Sequence, residues 1–334
     1  MPIEASELAP TLQAVLAHRL GQSGTLQGLQ RLTGGATKQT WAFDWVHAGG
    51  REHCILQLLD ESTAPPAGAR LPKLNAEHDA ALMTAARAAG VPAPELLLLL
   101  APQDGLGAGY VTRRIDGETL GRRIVRDEAF AGARRVLAQQ CGQALARIHQ
   151  LPRQDFPFLQ TLTPTDELQL YAERLDGLER QHPALAYGLC WVRNHLPAQW
   201  HWSVVHADFR TGNLIVGPEG LRCVLDWEIA RIGDPMQDLA VLCMRSWRFG
   251  GSEPVGGFGH REDLYAAYEA AGGERVDTER VRFWEVLNNL KWAISCVRRG
   301  SARRADGRPA RVELAAIGRR LEEPLWDLLN LTTA

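Results

Sequence analysis

Residues 204–228 read Val-Val-His-Ala-Asp-Phe-Arg-Thr-Gly-Asn-Leu-Ile-Val-Gly-Pro-Glu-Gly-Leu-Arg-Cys-Val-Leu-Asp-Trp-Glu. A His-x-Asp stands at 206–208, an Asn follows the Asp by five positions, and a second Asp closes a short apolar run at 226. Phosphoryl transfer needs such groups in this order. One carboxylate lies beside the nucleophilic hydroxyl, and an amide and a second carboxylate grip magnesium between nucleotide phosphates. Magnesium takes oxygen ligands and keeps several waters, so one Asp and one Asn suffice once phosphates complete the shell. Taken singly, Asp208 and Asn213 read as turn residues and Asp226 as a strand-end cap; the complete spacing favours the chemical reading.

The 334-residue chain is long enough for one large or two modest domains with a sizeable core. Its formal net charge of -2 gives no electrostatic case for a nucleic-acid partner. The six cysteines (Cys54, Cys141, Cys190, Cys223, Cys243, Cys296) are scattered without a Cys-x-x-Cys pair, which predicts reduced core residues rather than disulfides or a zinc site. The N-terminal Met-Pro-Ile-Glu-Ala-Ser-Glu lacks the basic-then-apolar order of a signal peptide, and the Leu96–Leu100 run is too short to span a bilayer. A cytoplasmic protein with no membrane partner is expected; the oligomeric state has no signature in the sequence.

Hydrophobic periodicity predicts a leading helix over 8–20, then antiparallel strands over 29–32, 40–46 and 54–59, separated by Gly34-Gly35 and Gly49-Gly50 turns. A Pro- and Ala-rich loop (63–72) leads into a helix over 75–89 stopped by Gly90 and Pro92, and strands follow near 95–100 and 110–115. From Leu120 the pattern turns helical: 133–150, 166–180, 184–196, then, past the hairpin at 203–227, 236–246, 261–271 and 278–299. The expected organisation is a small strand-rich lobe, a connector near 113–118 and a larger helical lobe carrying the chemistry.

Eight stretches give the chain a family likeness: Leu-Thr-Gly-Gly-Ala-Thr (32–37), Gly-Val-Pro-Ala-Pro (90–94), Ile-Asp-Gly-Glu-Thr-Leu (115–120), Ala-Leu-Ala-Arg-Ile-His (144–149), His-Ala-Asp-Phe-Arg-Thr-Gly-Asn (206–213), Leu-Asp-Trp-Glu (225–228), Gly-Asp-Pro-Met-Gln-Asp-Leu-Ala (233–240) and Arg-Ser-Trp-Arg-Phe-Gly (245–250). With these the chain resembles the phosphotransferase family that includes aminoglycoside phosphotransferases and choline kinases, a branch of the protein-kinase-like fold. The likeness is closest to the branch of kinase domains fused to acyl-CoA dehydrogenases. It implies an α+β, bilobal fold: a small antiparallel-sheet N-lobe with one main helix (1–114) and a larger, mostly helical C-lobe (115–334). It also implies ATP as co-substrate, Mg2+ as metal and a small-molecule hydroxyl as acceptor.

Residue by residue, the resemblance makes Asp208 the catalytic carboxylate, Asn213 and Asp226 magnesium ligands, and His206 a structural residue whose ring hydrogen-bonds backbone. A positioned base of this kind contributes ~10²–10⁴-fold. Glu228 either adds a metal or water contact or is a solvated hairpin carboxylate. Asp238 opens an apolar helix as an N-cap, braces the catalytic loop, or does both. In the small lobe Gly34 and Gly35, with Thr37 and Lys38 at the turn, either approach phosphates or form a plain turn. The family's cation at the end of the third strand is replaced by Gln57, while Glu77 fits the acidic helix partner. Lys38 or an arginine must then supply the charge, unless magnesium carries it or the enzyme is impaired. Residues 110–115 read as the adenine-binding strand, with Thr112, Arg113 and Ile115 at the site, or else as a plain edge strand.

Protein-kinase activity is set aside: Ala207 replaces the loop Arg, Trp227-Glu228 replaces Phe-Gly, and the Ala-Pro-Glu at 93–95 precedes the catalytic loop. Residues 245–312 carry twelve arginines and one lysine against nine acidic residues, with Trp247, Phe249, Phe258, Trp284 and Trp292 interleaved. That segment suits an anionic or apolar substrate such as a hydroxyacyl-CoA, or it is a solvated face over a core stripe of Trp284, Leu287, Leu290 and Ile294. The competing function is a pseudokinase that binds nucleotide or metabolite with weak or no turnover, and Gln57 is its motive.

Overall fold

The computed structural model describes residues 4–32, 38–59, 73–303 and 312–333. The chain divides into two compact units, Met1–Asp116 with Arg222–Ile229, and Gly117–Leu221 with Ala230–Ala334. The sequence reading carried residues 222–229 with the helical part. They join the first unit because their backbone pairs there: Val224 N–H donates to Pro92 O (2.7 Å), and Leu74 N–H to Glu228 O (2.8 Å).

In the first unit α1 (Ala5–Arg19) buries Leu8, Leu12, Val15 and Leu16, a spacing that puts them on one helical face. That face packs with Trp41, Trp45, Leu56 and Val111 of an antiparallel sheet. The strands are β1 (Gly24–Leu32), β2 (Lys38–His47), β3 (Gly50–Leu59), β4 (Leu96–Leu99) and β5 (Gly109–Arg113), in the order β1-β2-β3-β5-β4. Gly28, at φ 63°, marks a bulge where the β1–β2 register shifts between Gln27 and Gln30. β3 is central and Leu56 is fully buried, so truncating it to Ala costs about 2–5 kcal/mol. Helix α2 (Ala76–Ala88) starts where the Asn75 side chain accepts the His78 N–H (2.8 Å) and packs on β4 and β5. Its buried residues Ala76, Asp79, Ala80, Met83 and Ala86 form one stripe, and a carboxylate stands within it.

The second unit holds α3 (Gly121–Arg126), α4 (Ala131–His149), α5 (Pro164–Asp176), α6 (Pro183–Asn194) and β6 (Ser203–Val205). After β7 (Leu214–Gly217) and β8 (Gly220–Val224), whose residues from Arg222 on count with the first unit, come β9 (Arg231–Gly233), α7 (Met236–Cys243), α8 (Arg261–Ala270), α9 (Thr278–Ser301), α10 (Val312–Gly318) and α11 (Glu322–Thr333). The Asp277 side chain caps α9 by accepting the Glu279 and Arg280 N–H groups, and Thr163 and Asp166 form a reciprocal box at the start of α5. α4 and α8 cross closely at Gly142, where a Cβ would lie 2.4 Å from Leu264 O. α9 is the hub. Trp284, Leu287, Leu290 and Ile294 are all buried on it, and of these only Ile294, at the end of the stripe, borders a surface pocket.

The α+β architecture follows the sequence expectation. Elements it did not place are α3, β9, α10 and α11. No helix among the described residues is long and apolar enough to cross a membrane. All six cysteines are free, and only Cys190 is exposed.

Candidate active site

Pairing register brings one polar cluster to one face of the first unit's sheet. Gln57 on β3 lies opposite Thr40 on β2 and Tyr110 on β5, and Lys38, two residues from Thr40, shares that face. The Lys38 ammonium donates to Asp79 (2.7 Å) and lies 3.7 Å from Asp226 and 3.8 Å from Glu228. Glu228 also pairs with Lys73. Burial works against the Lys38 charge, but Asp79, Asp226 and Glu228 outweigh it and hold its pKa above the usual range. Tyr110 OH lies 2.5 Å from Gln57 Oε1 and 2.7 Å from Asp79 Oδ2. One hydroxyl proton serves one acceptor. The Asp79 carboxylate is the stronger, so the Gln57 amide meets the phenol oxygen through its NH2 group. Burial, with Asp79 alongside, pushes the Tyr110 pKa well above its ordinary value and keeps it a donor.

The acidic helix partner is therefore Asp79, not Glu77. Glu77 sits off the buried stripe of α2 and is exposed, whereas Asp79 is 2% exposed. Gln57 points to Tyr110 and reaches Asp79 only through it. Asp226 adopts φ 66°, a left-handed conformation that a non-glycine residue holds at a cost of order 1–3 kcal/mol. Its carboxylate is 37% exposed, the most open of the three around Lys38.

The second unit presents the loop after β6. Ala207 takes φ 67°, and the bent backbone is held by Asp238, whose carboxylate accepts the His206 N–H (2.8 Å) and the Ala207 N–H (2.7 Å). His149 Nε2 meets the same carboxylate at 3.1 Å, and its Nδ1 contacts Tyr268 OH at 2.8 Å. Burial would raise the Asp238 pKa, but the hydrogen bond and charge of His149, with His206 beside it, hold it below the ordinary carboxylate range. Asp238 stands in the first turn of α7 but caps nothing; the Met236 N–H goes instead to Asp234 Oδ1 (3.0 Å). The N-cap reading of Asp238 is corrected accordingly. His206, fully buried, accepts the Asp208 N–H at ring Nδ1 (3.3 Å).

Asp208 receives two side-chain donors: Arg210 Nε at Oδ1 (3.0 Å) and Asn213 Nδ2 at Oδ2 (2.7 Å). The Arg210 guanidinium lies 4.4 Å over the Trp247 ring. Thr211 Oγ1 donates to Gly256 O (3.1 Å), tying the loop to the glycine-rich 250–259 segment. Asn213 commits its NH2 to Asp208 and so keeps its carbonyl oxygen for a cation. Among the described residues no three His, Cys, Asp or Glu side chains are grouped to hold a metal alone. Magnesium takes one or two protein oxygens and completes its shell with phosphate and water.

Of the remaining expectations, Gly34, Gly35 and Thr37, with the fold of the glycine turn over a cleft, lie outside the described residues. Thr112 is buried, with its backbone between Ile55 on β3 and Leu96 on β4, so β5 is no edge strand. The Arg113 N–H goes to Glu95 O (2.9 Å) and the Arg114 N–H to His53 O (2.8 Å), so neither is left for a purine. The Arg113 side chain pairs with Glu52 and Glu95, and Ile115 lies past the strand, half-buried. Sequence reasoning missed Asp79, Tyr110, Lys73 and Arg210. Only Asp79 left a signal, a carboxylate at i+3 in an apolar stripe.

A profile of the phosphotransferase enzyme family matches residues 28–284. Mouse acyl-CoA dehydrogenase family member 10 is 31% identical over 193 residues, 54% of this chain; the match spans only 18% of that relative's length. Two solved structures share the fold. A Ralstonia eutropha protein assigned as an aminoglycoside phosphotransferase superposes with a TM-score of 0.72 at 19% identity, covering 97% of this chain and 98% of its own. A spectinomycin phosphotransferase, solved with ADP and spectinomycin, gives 0.67 at 13% identity, covering 100% and 99%.

Proposed function

From the premise that the chain belongs to the phosphotransferase enzyme family, we propose that it transfers the γ-phosphoryl group of ATP to a hydroxyl of a small molecule, with magnesium. The observation that carries this is the buried Lys38 ammonium, held among Asp79, Asp226 and Glu228. It supplies the cation that Gln57 lacks and answers the feature that motivated a non-catalytic nucleotide binder. The reading of a bound nucleotide is supported by the ADP in the spectinomycin phosphotransferase structure.

In this reading Asp208 orients the acceptor hydroxyl and receives its proton, while Asn213 keeps the carboxylate in place. Asp226 and the Asn213 carbonyl are the oxygens that would take magnesium, which would supply charge neutralisation at the phosphates. Lys38 steadies the phosphates, Asp79 and Tyr110 fix Lys38 and Gln57, and Glu228 holds Lys73 near the same place. His206 and Asp238 hold the loop's shape.

For the acceptor we propose a hydroxyacyl-CoA or a related anionic, partly apolar metabolite. Support comes from the relative named as an acyl-CoA dehydrogenase family member and from the cationic surplus at 245–312. The free cysteines suit a cytoplasmic setting. The test is phosphate transfer from labelled ATP to a panel of hydroxyacyl-CoAs, simple alcohols and aminoglycosides. Magnesium-dependent phosphorylation of a hydroxyacyl-CoA is expected. Transfer to aminoglycosides alone would overturn the acceptor, and absence of both nucleotide binding and turnover would overturn the activity.

A further inference from the structure

In the helical unit, α5 and α9 flank an open pocket of about 340 Å³ whose lining includes Tyr171 and Arg174 of α5 and Lys291, Ile294, Arg298 and Arg299 of α9. Four of these side chains are cationic, and no carboxylate lines the space. Lys291, Ile294 and Arg298 fall at helical spacing and present one face of α9. The Lys291 ammonium donates to Glu167 Oε2 at 2.6 Å, but Glu167 also holds Arg231 at 2.7 Å. One buried carboxylate thus serves two cations. Among the described residues Arg174, Arg298 and Arg299 form no ion pair.

Arg298 and Arg299 are exposed and Arg174 is half-buried, whereas the Lys291 side chain, only 14% exposed, carries its charge inward. The Tyr171 ring lies under Arg174 (4.7 Å) and Lys291 (5.6 Å) and aligns both cations toward the cavity. Burial pulls the Lys291 pKa down to about 8, with Glu167 resisting. Arginine forks and an ammonium around a small open pocket match the tetrahedral oxygens of a phosphate group, and the volume admits a small molecule.

We propose that the α5–α9 cavity is a binding site for a small phosphate-bearing anion, held by Arg174, Lys291, Arg298 and Arg299 with Ile294 as an apolar wall. No residue of the 206–213 loop lines it. It still touches that loop's footing: Lys291 bonds Glu167, Glu167 bonds Arg231, and Arg231 pairs with Val205, the residue before His206. The site does not depend on the phosphotransfer reading.

The chain has three lysines, Lys38, Lys73 and Lys291, so ¹³Cε-lysine labelling of the whole protein gives separable probes. Inorganic pyrophosphate is titrated without magnesium, and the Lys291 resonance is assigned with Lys291→Arg. It should shift saturably with a Kd of about 1 mM or tighter, and its titration midpoint should rise above about 8. Arg298→Ala and Arg174→Ala, both toward solvent, should weaken binding by about tenfold or more, in keeping with lost charge-assisted contacts. A simultaneous shift of Lys38 would report the nucleotide site separately. A Lys291 resonance unmoved up to about 10 mM, or arginine variants that bind as wild type, would overturn the proposal.

Discussion

Replacing Lys38 by Gln removes a cation that lies within 4 Å of three carboxylates while keeping a side chain of similar length. A cation about 4 Å from a phosphate at an effective dielectric near 20 gains about 4 kcal/mol before desolvation. Charge-assisted hydrogen bonds retain a net ~1.5–3 kcal/mol after it. At about 1.4 kcal/mol per decade, the Kd for magnesium-bound AMP-PNP should therefore rise roughly 10–100-fold. Asp79 is not orphaned by the change, because Tyr110 OH still donates to it at 2.7 Å, so the variant should fold. Isothermal calorimetry measures the affinity, and thermal melting reports the fold. The relocation can then be reversed: adding Gln57→Lys puts an ammonium on β3, next to Tyr110 on the same sheet face, and should recover most of the loss. If Lys38→Gln binds the nucleotide as tightly as wild type, the assignment of this charge is wrong.

Asp208→Asn should lower turnover by about 10²-fold or more with little change in nucleotide affinity; steady-state kinetics showing wild-type turnover would refute its role. Asp226→Ala should abolish the magnesium dependence of nucleotide binding, which calorimetry with and without the ion measures. Asp238 has a folded pKa below its unfolded one, so it stabilises the protein above the ordinary carboxyl range and loses that contribution as pH falls through the lowered value. Melting temperatures of wild type and Asp238→Asn should therefore converge as pH drops below about 4; a constant gap down to pH 2 would count against it.

The sequence made the fold legible where periodicity and punctuation agreed. Asn75 before α2 and the Thr-Pro-x-Asp start of α5 are local signals, and the structure obeys them. α10 and α11 were missed because they follow a stretch rich in Arg, Gly and Pro that masks their onset. The 206–213 loop was legible because its chemistry is written in consecutive residues. The Lys38 cluster was only half legible, because cross-strand register places Lys38, Gln57 and Tyr110 on one face and no linear spacing encodes register. Glu77 drew attention by charge, yet its phase on α2 faces water, whereas Asp79 shares the phase of Ala76 and Met83. Of the two readings of the aromatics at 245–312, the core stripe holds for Trp284, whose fully buried indole donates to Asp234 at 2.7 Å.

The three contacts of Asp238 have a further consequence. Because one carboxylate holds two loop N–H groups and the ring of His149, the last residue of α4 is drawn into the loop's geometry from 59 positions upstream of Asp208. A leucine at 149 would fill the space but leave Asp238 Oδ2 with the His206 N–H and without the imidazole. The hereditary footprint of the chemistry is thus wider than its motif. It reaches into the end of α4, where His149 closes the Ala-Leu-Ala-Arg-Ile-His stretch.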